Sequence, residues 1–136
     1  MEFHFERLTV WQNAMRLVAQ IYEATRRFPL QERFGLTSQL QRAAVSVTAN
    51  IAEGKGRYHR QEFLQFLYLS RGSLYETISL IKIAASLKYL DSKIEMTLLS
   101  ACQQTLSQLS GLINSLKIPR AQSPEPRTVL HPSPEP

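Results

Sequence analysis

A single cysteine, Cys102, is all the thiol chemistry this 136-residue chain contains. An intrachain disulfide is therefore excluded, and a reducing compartment suits the composition. Cys102 falls on an apolar helical face, where a small buried hydrophobe is the expected role. The three histidines, His4, His59 and His131, lie far apart in an N-terminal arm, an interhelical loop and a tail. No Glu-x-x-His, Cys-x-x-Cys, His-Glu-x-x-His or phosphate-loop pattern occurs, so no metal site, cofactor site or catalytic constellation can be assembled from motifs. The expectation is a protein that is not an enzyme. No apolar run approaches the 18 or so residues of a membrane span. The opening MEFHFERLTVWQ has neither the basic start nor the apolar stretch of a signal peptide. A cytoplasmic location without membrane contact is expected. Proline is almost missing up to Lys117, and six of the seven prolines fall in residues 118–136.

Four apolar stripes at helical spacing fill the rest. The first is Val10, Trp11, Ala14, Leu17, Val18, Ile21 and Tyr22; the second is Leu40, Ala43, Ala44, Val47 and Ile51. The third is Phe63, Phe66, Leu67, Leu74, Ile78, Ile81, Ala85 and Leu87. The fourth is Ile94, Leu98, Ala101, Cys102, Thr105, Leu109, Leu112, Ile113 and Leu116. Helices over about 9–27, 38–54, 60–90 and 92–117 follow. Three capping boxes are predicted to start them, at Thr9 with Gln12, Ser38 with Gln41 and Ser92 with Glu95. Gly54 and Gly56 are expected to stop the second helix in a left-handed conformation, and Gly72 to mark close packing or a bend. The short Asp91-Ser92 connection makes helices three and four an antiparallel hairpin. The fold class is all-α, an antiparallel up-down four-helix bundle over residues 1–117. Residues 118–136 form a proline-rich flexible tail in this reading.

Charge is unevenly spread. The formal excess of +5 matches the window 26–60, where Arg26, Arg27, Arg33, Arg42, Lys55, Arg57 and Arg60 face only Glu32 and Glu53. These seven are the candidate nucleic-acid-binding residues, since such asymmetry suits an anionic partner. Lys82, Lys88 and Lys93 lie outside the window and form a natural comparison set. Gly54-Lys55-Gly56 could make a small anion nest or simply end a helix. A second group, Asn50 and Glu53 with Ser73 and Glu76, forms polar rows that suggest a network between helices or subunits. The small Ala and Val residues of the second helix, with Tyr58, Tyr68 and Tyr75, suggest more apolar surface than one bundle hides.

Val10-Trp11-Gln12, Phe34-Gly35-Leu36, Asn50-Ile51-Ala52-Glu53-Gly54 with Gly56-Arg57, and Gly72-Ser73-Leu74 with Glu76 occur in order. On these pieces, residues 6–117 resemble the bacterial 23S rRNA intervening-sequence protein family, encoded in insertions within large-subunit ribosomal RNA genes. They are also similar to the accessory variability protein of diversity-generating retroelements. The resemblance implies a bundle assembled as a ring-like homo-oligomer, a pentamer, with a non-catalytic role. In the retroelement branch it implies RNA or DNA and a reverse transcriptase or other nucleic-acid-processing protein as partners. The alternative is a structural scaffold whose arginines serve the subunit interface.

Overall fold

The computed structural model describes residues 1–117; the tail expectation falls on residues outside these. Among the described residues there are four helices and no strand: α1 (Thr9–Thr25), α2 (Leu36–Lys55), α3 (Arg60–Ser86) and α4 (Ser92–Lys117). Residue pairs fix the directions. Thr25 meets Gln41, Val47 meets Ser70 and Asn13 meets Gln108. Each helix therefore runs antiparallel to its sequence neighbour, and α1 closes the square against α4. Leu17 and Ile21, Leu40, Val47 and Ile51, Leu67, Leu74 and Ile81, and Leu98, Leu109 and Ile113 fill the centre, all essentially without solvent contact. Four stripes, each too apolar for water, are hidden against one another, the usual solution for helices of this length.

The stripes need correction at their margins. Tyr22 and Leu87 are exposed, while Leu64, Ser70, Thr77, Leu80 and Ala84 are buried. Buried hydroxyls are possible because the backbone satisfies them: Thr77 Oγ1 donates to Ser73 O, and Ser70 Oγ donates across the interface to Val47 O, each at 2.8 Å.

None of the three capping boxes forms. α1 begins after an extended Leu8, and Thr9 is already helical. Its entry is set by a 3₁₀ turn at His4–Arg7, where Phe5 packs edge-on against Trp11 at 5.1 Å and Gln12 Nε2 donates to Glu6 O at 2.7 Å. α2 begins two residues before the predicted Ser38. A second 3₁₀ turn, Leu30–Glu32, lets the Glu32 carboxylate accept the Leu36 N–H at 3.0 Å. Gln41 instead donates to the buried Thr25 hydroxyl at 2.9 Å. For α4 the cap is Asp91, whose Oδ1 accepts from Ile94 N at 2.8 Å.

The helix ends differ too. α1 stops at Thr25, since Phe28 turns into the core ahead of Pro29. α3 stops at Ser86 rather than Leu90: Lys88 takes a left-handed φ of 69°, Lys88 N donates to Ala85 O, and Tyr89 N donates to Ala84 O. This is the Schellman arrangement, built on a lysine where glycine is usual. No glycine has positive φ. Gly54 is needed for proximity instead, because a Cβ there would lie 2.6 Å from Phe66 Cβ and 3.0 Å from Phe63 Cδ1. Around Gly72 a Cβ would meet nothing within 4 Å, so neither close packing nor a break explains it.

Candidate functional site

The antiparallel topology separates the seven basic residues by a helix length. α2 has 20 residues, about 30 Å at 1.5 Å per residue. Arg26, Arg27 and Arg33 sit at its N-terminal end, and Lys55, Arg57 and Arg60 at its C-terminal end, with Arg42 on the outer face between them. One contiguous patch in sequence becomes two in space.

At the Arg26 end, Glu32 organises the surroundings. One carboxylate oxygen caps α2, and the other accepts the Tyr89 hydroxyl at 2.9 Å, tying the α1–α2 connection to the α3–α4 connection. Phe28 packs on the Tyr89 ring at 5.4 Å. Tyr89 is raised above the ordinary phenol range, first by the hydrogen bond to Glu32, then by burial and by the carboxylate's charge. Arg26 pairs with Glu23 at 3.4 Å, both well exposed, so that pair contributes little. Arg33 lies over the ring of Phe34 at 4.8 Å, and Phe34 is 85% exposed.

Beside this end, α1 and α4 part to leave a cleft of about 320 Å³. Arg27, in the turn just past α1, lines one side and Lys93 of α4 lines the other. Lys93 is therefore not a remote comparison residue: the fold returns the α3–α4 connection to the Arg26 end. Sequence reasoning missed it, although the up-down order of four helices carries that information.

At the other end, Arg57 bonds Glu53 at 2.9 Å and covers the Phe66 ring at 4.7 Å, while Lys55 lies 5.7 Å from the Phe63 ring. Tyr58, 92% exposed, stands edge-on to His59. The Gly54-Lys55-Gly56 nest is absent. Gly56 N donates to Ala52 O and Glu53 O, and Arg57 N to Gly54 O, so these donors are spent inside the helix end.

The polar rows are partly joined. Ser46 and Ser73 hydroxyls share a 2.8 Å hydrogen bond between α2 and α3, and Asn50 Nδ2 donates to Ser46 O at 2.9 Å and Ser46 Oγ at 3.0 Å. Glu53 serves Arg57, and Glu76 is exposed, with no ion pair among the described residues. No group of three or more metal-ligating side chains occurs among the described residues, and no helix there is long and apolar enough to cross a membrane. Cys102 is fully buried, which pushes its thiol up to about 12.

The family model for the 23S rRNA-intervening sequence protein matches residues 6–111. This chain belongs to that family. A solved structure, a protein with unknown function from the S23 ribosomal protein family of Bacteroides thetaiotaomicron, superposes with a TM-score of 0.72 at 18% identity. The match covers 77% of this chain and 95% of that one, and at this identity the likeness is one of fold. No curated protein matches. The helices that carry both basic ends all fall largely within the family-matched residues.

Proposed function

We propose that this intervening-sequence protein is a non-catalytic, oligomeric binding protein whose basic ends engage single-stranded or structured nucleic acid. One observation carries the reading. Five of the seven nominated residues, Arg27, Arg33, Arg42, Lys55 and Arg60, have no carboxylate within 4.0 Å among the described residues. Cations left without internal partners are available to phosphate. Exposed rings stand at both ends, Phe34 next to the unpaired Arg33 and Tyr58 next to Arg57, whose partner is Glu53, and an exposed ring can stack a base that is not already paired. Single strands are therefore favoured over duplex.

A second reading, the scaffold, is favoured by the outer α2–α3 face. Val45, Leu69 and Ile83 are 40–56% exposed there, around the half-buried Ser46–Asn50–Ser73 network. Copies packed through this face would form the ring-like homopentamer that the family resemblance implies. The two readings are compatible, since five copies multiply a weak site.

The test is fluorescence anisotropy with a labelled single strand. Four phosphate contacts imply a salt slope near −3 and an affinity loss of roughly fifty-fold between about 50 and 200 mM salt. Charge reversal of Arg27, Arg33 and Lys93 should weaken binding, as should reversal of Lys55, Arg57 and Arg60. Phe34→Ala with Tyr58→Ala should lower affinity without changing the slope. Absence of salt-sensitive binding at low ionic strength would reject the nucleic-acid reading. Dissociation of the charge-reversed variants to 15.6 kDa monomers in light scattering would transfer the arginines to the interface.

A further inference from the structure

We propose that the cleft between α1 and the start of α4 is a binding site for a small organic monoanion, an apolar body carrying one carboxylate. The floor is apolar: Leu90 and Leu98 are nearly buried, Ile94 and Ala24 are half-buried, and all four line the cavity. Ala24 contributes only a methyl group to the lining, leaving room that a larger side chain would take. Its far wall is held rigid, since Tyr89 is fixed between Phe28 and the Glu32 carboxylate.

The rim supplies the head-group chemistry. Arg27 and Lys93 approach from opposite walls, and neither has a carboxylate partner among the described residues. Glu23 also lines the cleft, so the three rim charges leave a net single positive charge, suited to a monoanion rather than a dianion. Thr97 Oγ1 spends its proton on Lys93 O at 3.0 Å, so the neutral donor left on the lining for the carboxylate is the amide NH₂ of Gln20. At about 320 Å³ the cleft lies at the small end of ligand pockets. That size admits one short chain or ring and excludes a folded peptide.

The site differs from the nucleic-acid surface in needing the apolar floor, and the two share only Arg27 and Lys93. The experiment is an amide chemical-shift titration of the full chain with octanoate, octan-1-ol and acetate. Octanoate should saturate with a Kd of about 1 mM or below, a modest efficiency for a ligand of this size, with shifts at Ala24, Leu90, Lys93 and Ile94. Octan-1-ol should bind about five- to tenfold more weakly, and acetate not measurably. Arg27→Gln with Lys93→Gln should bring octanoate to the level of the alcohol. Ala24→Phe fills the cleft and should abolish binding of both, while every basic residue, and hence nucleic-acid affinity, is retained. Equal affinity for alcohol and carboxylate, octanoate binding that survives Ala24→Phe, or no saturation would each overturn the proposal. Failure of nucleic-acid binding would leave it intact.

Discussion

Replacing Gly54, Gly72 and Gly111 with alanine, one at a time, should give opposite signs for the same chemical change. All three lie within helices, where alanine is intrinsically better than glycine by about 1 kcal/mol. At Gly72 and Gly111 an added methyl meets nothing within 4 Å, so each variant should gain about 0.5–1 kcal/mol. At Gly54 the methyl would stand 2.6 Å from Phe66 Cβ. That atom is anchored to the α3 backbone, so a rotamer change cannot move it away, and α2 and α3 must separate by about 1 Å to restore contact distance. Overpacking of this kind costs about 1–3 kcal/mol. Set against the propensity gain, Gly54→Ala should lose about 1 kcal/mol. Urea unfolding followed by helical circular dichroism reads the difference: Gly54→Ala and Gly72→Ala should be about 2 kcal/mol apart, near 1 M in midpoint. If Gly54→Ala is stabilised as much as Gly72→Ala, the close approach of α2 and α3 is wrong. Measuring at two protein concentrations adds a second reading. A loss at Gly72 that grows on dilution places that glycine between subunits.

Three further outcomes are expected. Cys102, with its thiol pushed up to about 12 and no solvent contact, should resist thiol reagents near pH 8 and react fully once urea unfolds the chain; fast labelling of folded protein would contradict the burial. Tyr89, raised above the ordinary phenol value, contributes stability that is complete below the unfolded phenol pKa and is lost as pH rises through its folded value. Ultraviolet titration should show a late-ionising tyrosine that Glu32→Gln moves to lower pH and Tyr89→Phe removes. Ser73→Ala should cost about 1 kcal/mol, and the Ser46→Ala/Ser73→Ala double variant less than the sum of the singles, because the two hydroxyls share one hydrogen bond. Additive losses in denaturant melts would show that the hydroxyls act separately.

Periodicity was enough to expose the bundle, because it reports a global constraint: each helix must hide one face. The termini were less legible for a physical reason. A capping box is one local way to satisfy free N–H groups, and any acceptor brought near by the chain can replace it. Glu32 does so for α2 from a 3₁₀ turn four residues upstream, and Asp91 does so for α4 from the residue before the predicted cap. Likewise, glycine in a sequence signals either left-handed backbone or missing bulk. Only the packing of α3 decides that Gly54 belongs to the second kind, while the left-handed residue among those described is Lys88. The Ser46–Ser73 contact was half visible, since Ser73 stood out as polar near an apolar stripe, but its pairing with Ser46 depends on helix register.

The charged residues follow a different logic. A run of basic residues in sequence makes a patch in space only when the chain between them folds back, and the straight 20-residue α2 instead carries them about 30 Å apart. The window 26–60 therefore places its cations at opposite ends, where each group acquires neighbours from other helices. Lys93 joins Arg27 across the cleft, and Phe34 and Tyr58 stand exposed beside Arg33 and Arg57. Two separated basic ends, each holding an exposed ring, make poor readers of one rigid duplex segment. They make reasonable contacts for a strand that can bend between them, or for several strands held by neighbouring copies. In the proposed ring, the separation would become an asset if each end formed a circle of like sites on one rim. Under that geometry, charge reversal at one end should remove one rim while leaving the other able to bind. The two triple variants, compared on the same labelled strand, distinguish this from a single composite patch: two independent rims leave about half the binding capacity in either variant, whereas one patch loses nearly all of it in both.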